Sequence, residues 1–281
     1  MNRVEKIFSE IRPWYLIVPF VILTLIAIFL EPSFQVPYGK EEKKLLNMIE
    51  SIPEGSKVLV AVNYTPQTRY ELDGSFHLIV RELLSRKVGI VFMTLTEMGI
   101  ETISMGVRES LSGISSQEWS AVYGKDYVNI GYFAGGTLAA GAVSGSIFSM
   151  RGSDVFGNDL KNMSVMNGVD SFSDFSAFIE LSSMKIDGTP AAVLFNVLSK
   201  GEGTPVIAVV TSDMVPEYIP FRKSGRIDIL IKGSRRMAAL ERAFNNPGIS
   251  TVRYSIASVL LVFIIFMIIL SNIKNLVTGR K

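Results

Sequence analysis

The chain has 281 residues, 48% of them hydrophobic, and its 28 basic and 26 acidic side chains leave a net charge of +2. That balance offers no basic face or tract, so nucleic acid is not an expected partner. Cysteine is absent, which excludes disulfides, thiolate catalysis and Cys-ligated zinc or iron–sulfur centres.

In chain order, the first element is the uncharged run Trp14 to Leu30 (WYLIVPFVILTLIAIFL), matched near the other end by Tyr254 to Ile273 (YSIASVLLVFIIFMIILSNI). As helices these runs extend roughly 26 and 30 Å, close to the ~30 Å hydrocarbon core of a bilayer. Both read as transmembrane helices, with residues 1–13 and 274–281 as tails and residues 31–248 as the folded domain between them. The first run exceeds the usual h-region of about 7–15 residues, and Glu31 to Gln35 offers no small-x-small cleavage site, so it reads as an uncleaved anchor. Trp14, Tyr15 and Tyr254 stand at run ends, where amphipathic rings prefer the headgroup level. Arg3, Lys6 and Arg12 precede the first run, Glu31 follows it, and Lys274, Arg280 and Lys281 follow the second. By the positive-inside rule both tails lie in the cytoplasm and the domain lies outside it.

Between the runs, Lys40 to Ser51 has an apolar face of Leu45, Leu46, Ile49 and Ile52 and reads as a helix. Lys57 to Val62 is a buried strand. Leu72 to Arg86 carries Phe76, Ile79, Val80, Leu83 and Leu84 at helical spacing. Val88 to Leu95 is a second strand, and Gly99 to Leu111 a helix. Ser115 and Glu118 form a capping-box pattern that opens a short helix through Trp119 and Val122. Strands follow at Tyr127 to Tyr132 and, past a glycine-rich stretch, at Phe175 to Leu181. Gly188 to Leu198 reads as a helix, Thr204 to Val210 and Ile227 to Ile231 as strands, and Ser234 to Phe244 as the last helix of the domain. Continuous apolar strands alternating with amphipathic helices predict an α/β domain with a doubly wound, mainly parallel, Rossmann-like sheet, flanked by N- and C-terminal transmembrane helices.

The run Tyr123-Gly124-Lys125-Asp126-Tyr127-Val128-Asn129-Ile130-Gly131-Tyr132, set between two terminal apolar helices, together with the glycine-led last helix (Lys232, Gly233, Ser234), resembles a family of prokaryotic two-pass membrane proteins. The likeness covers most of the domain. It implies the two-pass architecture and carries no activity with it.

In a parallel sheet, ligands bind beyond the strand carboxyl ends. The polar residues placed there give a candidate ligand-binding set of Asn63, Thr94, Glu97, Tyr132, Ser182 and Asp213. The competing reading is that such residues are strand-end turns and helix caps. Gly135-Gly136 offers bare backbone N–H groups to a phosphate, but neither GxGxxG nor GxxxxGK[ST] occurs, so no cofactor is expected. His77 is the single histidine and reads as a helix-flank residue, with no metal expected. Arg235, Arg236, Arg242 and Arg253 form a candidate contact for anionic lipid head groups, or a solvated face. Of two Asn-x-Ser/Thr sequons, Asn63 falls at a strand end and Asn162 is the plausible one. Two functions remain open. One is a membrane-anchored binding or scaffold module, with membrane lipids and other membrane-protein subunits or further copies of itself as partners. The other is a membrane-anchored enzyme acting on a lipid-linked or cell-envelope substrate, with Glu97 and Asp213 as acid and base and Asn63 and Ser182 lining its site.

Overall fold

The computed structural model describes residues 14–30, 32, 34, 36–112, 120–198, 203–246 and 248–278. The chain divides into two compact units, Val36–Ser250 and a second one made of Met1–Gln35 with Thr251–Lys281.

The larger unit is built on six strands: β1 (Lys57–Asn63), β2 (Gly89–Thr94), β3 (Tyr127–Tyr132), β4 (Ala177–Ser182), β5 (Val206–Val210) and β6 (Ile229–Lys232). All pairings are parallel, in the order β3-β2-β1-β4-β5-β6. Each strand is a short apolar run because both faces are covered. The order reverses between β1 and β4, the switch point of a Rossmann-like sheet. Of the described strands, β4 therefore shares the centre with β1, while Val88 to Leu95 and Thr204 to Val210 lie one place further out.

Side chains alternate between two cores. On one face, α2 (Lys40–Ser51), α3 (Arg69–Ser85), α4 (Gly99–Ser112) and α9 (Gly233–Ala243) pack Leu45, Phe76, Ile79, Val107 and Leu240 against Val58, Val60, Phe92, Ile179 and Ile207. The other face receives α5 (Thr137–Gly145), α6 (Ile147–Met150), α7 (Ala191–Leu198) and α8 (Val215–Lys223), with Phe172, Phe178 and Phe195 at its centre. The β6 edge is blunted by Glu41, which accepts the Leu230 N–H at 3.1 Å while Arg222 grips it at 2.8 and 3.1 Å.

Several boundaries differ from the sequence reading. Helix α3 starts at Arg69, behind a 3₁₀ turn at Pro66–Thr68. Helix α7 starts at Ala191, because Ile186 and Thr189 pair their backbones in a turn just before it. Helix α8 was not foreseen; Pro216 and Pro220 and its weak amphipathicity hide it in sequence. The helix expected from Ser115 to Val122 falls mostly outside the described residues, and Ala121 and Val122 are not helical.

The second unit holds α1 (Trp14–Leu30) and most of α10 (Ile249–Thr278). Among the described residues, α10 is the one helix long and apolar enough to cross a membrane, over Ile249–Ile273 at mean hydropathy 2.8. It begins before Tyr254 as a continuous helix. The 17-residue α1 is apolar but shorter. Inside this unit the Phe20 and Phe263 rings lie 5.8 Å apart, and the Phe34 N–H donates to Ser255 Oγ at 2.7 Å. Most other apolar side chains point outward, with Phe29 89% and Val262 67% exposed.

The start of α10 is fixed by close approach. The buried carboxylate of Glu241 on α9 accepts the N–H groups of Gly248 and Ser250, both at 2.8 Å, and so caps the first turn of α10. Gly74 on α3 lies against this cap, and a Cβ there would fall on Ser250 Oγ and the Glu241 carboxylate. Gly74→Val should therefore cost about 2 kcal/mol by overpacking, an apparent melting point about 4–8 °C lower. Gly145→Ala, which meets nothing within 4 Å, should leave the melting point unchanged or raise it. A thermal melt of each variant of the full chain in detergent tests the pair.

Candidate functional site

The carboxyl ends of β1 and β4 form the switch-point edge, and most of the polar groups delivered there are spent on one another. Asn63 is fully buried; its Oδ1 accepts the Leu95 N–H at 2.9 Å, and its Nδ2 donates to Glu180 at 3.3 Å. The Ser182 hydroxyl is buried and bonds the carbonyls of Asn63 and Met184 at 3.2 and 2.7 Å. Thr68 Oγ1 donates to Ser183 Oγ at 2.9 Å and ties the loop after β1 to the loop after β4. Thr94 is buried, with its hydroxyl donating to the Thr96 carbonyl and accepting the Thr96 N–H. Tyr132 is half-buried and its carbonyl accepts from Arg151 at 2.8 Å. Asn63, Ser182 and Thr94 are thus internal ties. Asn63 is also sealed against glycosylation by its burial.

Glu97 and Asp213 are exposed, after β2 and β5 respectively. Three inter-strand spacings separate those strands, roughly 14 Å in all. Among the described residues no hydrogen bond or ion pair joins the two carboxylates or links them to a common partner.

The residue that sequence reading missed is Glu180. It is fully buried on β4 at the sheet centre, with Ala61 and Ala208 as its register partners on either side. Two small neighbours leave the volume that its side chain fills. Its Oε2 accepts the Ala192 N–H at 2.7 Å, at the start of α7, and its Oε1 accepts from Tyr218 at 3.1 Å as well as from Asn63. Burial raises the carboxyl above its ordinary value of 4.5, and the bonds from Ala192, Asn63 and Tyr218 only partly oppose that shift. Burial and the neighbouring Glu180 charge push the Tyr218 hydroxyl well above 10, so it remains a donor. The one local sign in sequence is a Glu inside an otherwise apolar strand.

The glycine pair weighed and set aside as a phosphate site is occupied from within. Asp187 Oδ2 accepts the Thr137 N–H at 2.8 Å at the start of α5. Gly136 has φ +51°, and a Cβ on it would strike the Asp187 carboxylate. The chain thus supplies its own anion at that helix end.

Of the four arginines, Arg236 pairs with the buried Glu42 at 3.4 Å, and Arg253 is half-buried and engaged. Arg235 and Arg242 are exposed. Asp73, His77 and Glu109 bring potential ligand atoms within 4.8 Å of one another. Arg69 already stands there, 2.9 Å from Asp73 and 2.7 Å from Glu109, and Tyr64 donates to Asp73 at 3.0 Å. A guanidinium fills the place of a cation, so the group reads as an ion-pair network between α3 and α4. Its carboxylates outweigh the desolvation of Arg69 and hold the guanidinium above its ordinary value.

Comparison with protein-family models, curated proteins and solved structures finds no match for this chain.

The Glu180 arrangement makes a pH-dependent prediction. As pH rises from 4.5 through the raised folded value, the folded state retains a proton that the unfolded state has lost. The contribution of Glu180 to stability should therefore fall across that window and level off above it. Glu180→Gln should show a shallower fall than the parent in parallel urea titrations, the difference being the Glu180 part. Glu180→Ala, which strands three donors in a core, should cost at least about 3 kcal/mol.

Proposed function

We propose that this protein is a two-pass, membrane-anchored binding or scaffold module whose domain lies outside the cytoplasm, and that it serves as a subunit of a larger membrane complex or homo-oligomer. The observation that carries this reading is that Asn63, Thr94, Ser182 and Glu180 at the switch-point edge are bonded within the chain, although the buried Thr211 hydroxyl after β5 has no partner among the described residues. There the groups an α/β enzyme would aim at substrate are bonded to Leu95, Ala192, Ser183 and Thr137 instead. The exposed Glu97 and Asp213 follow strands three places apart, and among the described residues no contact couples them as one acid–base pair.

Two anchors rather than one are supported by α1, which is apolar throughout and packs Phe20 on Phe263 while turning most of its other apolar side chains outward. Apolar surface of that extent is stable in lipid, or against the helix of another subunit. Exposed Arg235 and Arg242 on α9 are suited to anionic head groups, each worth about 1 kcal/mol near the surface. The resemblance to prokaryotic two-pass proteins, carried by Tyr123 to Tyr132, agrees with this architecture.

The absence of cysteine makes topology directly readable. Single cysteines placed at the exposed Glu54 and at Gly279 should behave oppositely in intact cells. A membrane-impermeant maleimide should label Glu54→Cys at once and Gly279→Cys only after lysis. The reverse pattern would place the domain in the cytoplasm, and labelling of both before lysis would remove one of the two spans.

A further inference from the structure

We propose that the cleft between α4 and the edge strand β3 binds a small one-ring aromatic carboxylate. The inference rests on the binding-module reading above and names the ligand class for it. The site lies away from the switch-point edge. It is a cleft of about 130 Å³, walled by the rings of Phe92, Tyr123, Tyr127 and Phe156, with Val107 of α4 opposite. A closed apolar cavity of about 150 Å³ holds benzene; this cleft is slightly smaller but open on one side, so it takes one ring with its substituent projecting at the mouth.

Asn129 lines the cleft and holds a buried donor that nothing among the described residues answers. Asn129 is 4% exposed, and its Oδ1 accepts the Gly131 N–H at 2.9 Å. That bond fixes which way round the amide sits, leaving Nδ2 as the free end. Among the described residues nothing accepts from Nδ2. A buried amide N–H without an acceptor is unfavourable, and a ligand oxygen would satisfy it.

The rings are held ready. Tyr123 and Tyr127 stand perpendicular with centroids 5.3 Å apart, and Phe156 meets Tyr123 edge-on at 5.2 Å. Asp154 fixes the group: it accepts the Tyr123 hydroxyl at 2.9 Å, the Phe156 N–H at 2.9 Å and the Asn158 N–H at 2.8 Å. Tyr123 in turn accepts the Asn129 N–H at 3.3 Å. A ligand would therefore bind without first ordering its walls. Phe156 is 69% exposed, an apolar ring that a ligand at the mouth would cover.

Charge selects the ligand class. An aromatic box alone would suit an organic cation. Here Arg108 lines the mouth, exposed and, among the described residues, in no ion pair. A guanidinium there repels a cation and attracts a carboxylate. The buried Asn129 donor and the cation at the mouth both call for oxygen acceptors, and apolar rings wall the cleft that both line. A carboxylate at Arg108, a ring against Tyr127 and Phe156, and a ring hydroxyl toward Asn129 meet all three demands.

The test uses the full chain in nanodiscs of neutral lipid, with 4-hydroxybenzoate titrated by calorimetry and ligand-observed NMR, and empty nanodiscs as the blank. Saturable binding is expected, with benzylamine giving none. Asn129→Asp keeps the acceptor for Gly131 while replacing the donor, and Arg108→Gln alters an exposed side chain; each should weaken binding about tenfold or more. Absence of saturable binding, or an affinity unchanged in Arg108→Gln, would overturn the proposal, as would binding of benzylamine with comparable affinity. Should Asn129→Asp fail to fold, Arg108→Gln and the benzylamine comparison still decide the matter. A protein that ignored the acid yet kept the cysteine-labelling pattern of an anchored external domain would lose the pocket and leave the module reading intact.

Discussion

A carboxylate at the centre of the sheet is the constraint on which the rest of this domain depends. Glu180 sits where an apolar residue would be the ordinary choice, and removing a carboxylate from water is costly unless its oxygens are filled. They are filled by groups from three other elements: Asn63 of β1, Ala192 of α7 and Tyr218 of α8. Ala61 and Ala208 give it room. One side chain thus ties β4 to β1, to the start of α7 and to α8. A half-satisfied version of the same network would be worse than an apolar core, which is why its members act together.

The same device recurs. Helix N-termini expose unpaired N–H groups and attract anions, and here the chain meets that demand with its own carboxylates. Glu180 serves α7, Asp187 serves α5 and Glu241 serves α10, while Glu42 accepts the Gly39 N–H ahead of α2. Glu71 similarly accepts both the N–H and the hydroxyl of Ser212 after β5. A sheet with the strand order of a nucleotide-binding fold has in this way closed much of the edge where such folds hold phosphate. Order of strands is a matter of packing, and function is set by which groups are left unspent.

What was legible in the sequence was what depends on local pattern. The apolar runs located all six strands because parallel strands are buried on both faces, and the stripe from Leu72 to Leu84 located α3. The edge residues Asn63, Thr94 and Ser182 were placed correctly at strand ends, yet the sequence did not show whether they face a ligand or one another. That distinction rests on partners far apart in the chain: Asn63 and Glu180 are 117 residues apart, and Thr137 and Asp187 are 50 apart. Periodicity carries no information at such range. Helix α8 escaped notice because its prolines read as breakers, although Pro216 stands in the first turn, where its missing N–H costs nothing. The stretch from Tyr123 to Tyr132 stood out as a pattern, but its physical content needed Asp154 and Phe156 from a later loop.

Amide hydrogen exchange of the full chain in nanodiscs measures most directly whether the switch-point edge is closed. The N–H groups of Leu95 and Ala192 lie at loop and helix starts, where exchange is fast unless a partner holds them. If Asn63 and Glu180 hold them as described, both should exchange as slowly as the central strands β1 and β4, through opening of the whole domain. Exchange of those two amides at loop-like rates, while β1 and β4 stay protected, would show an open edge and contradict the account.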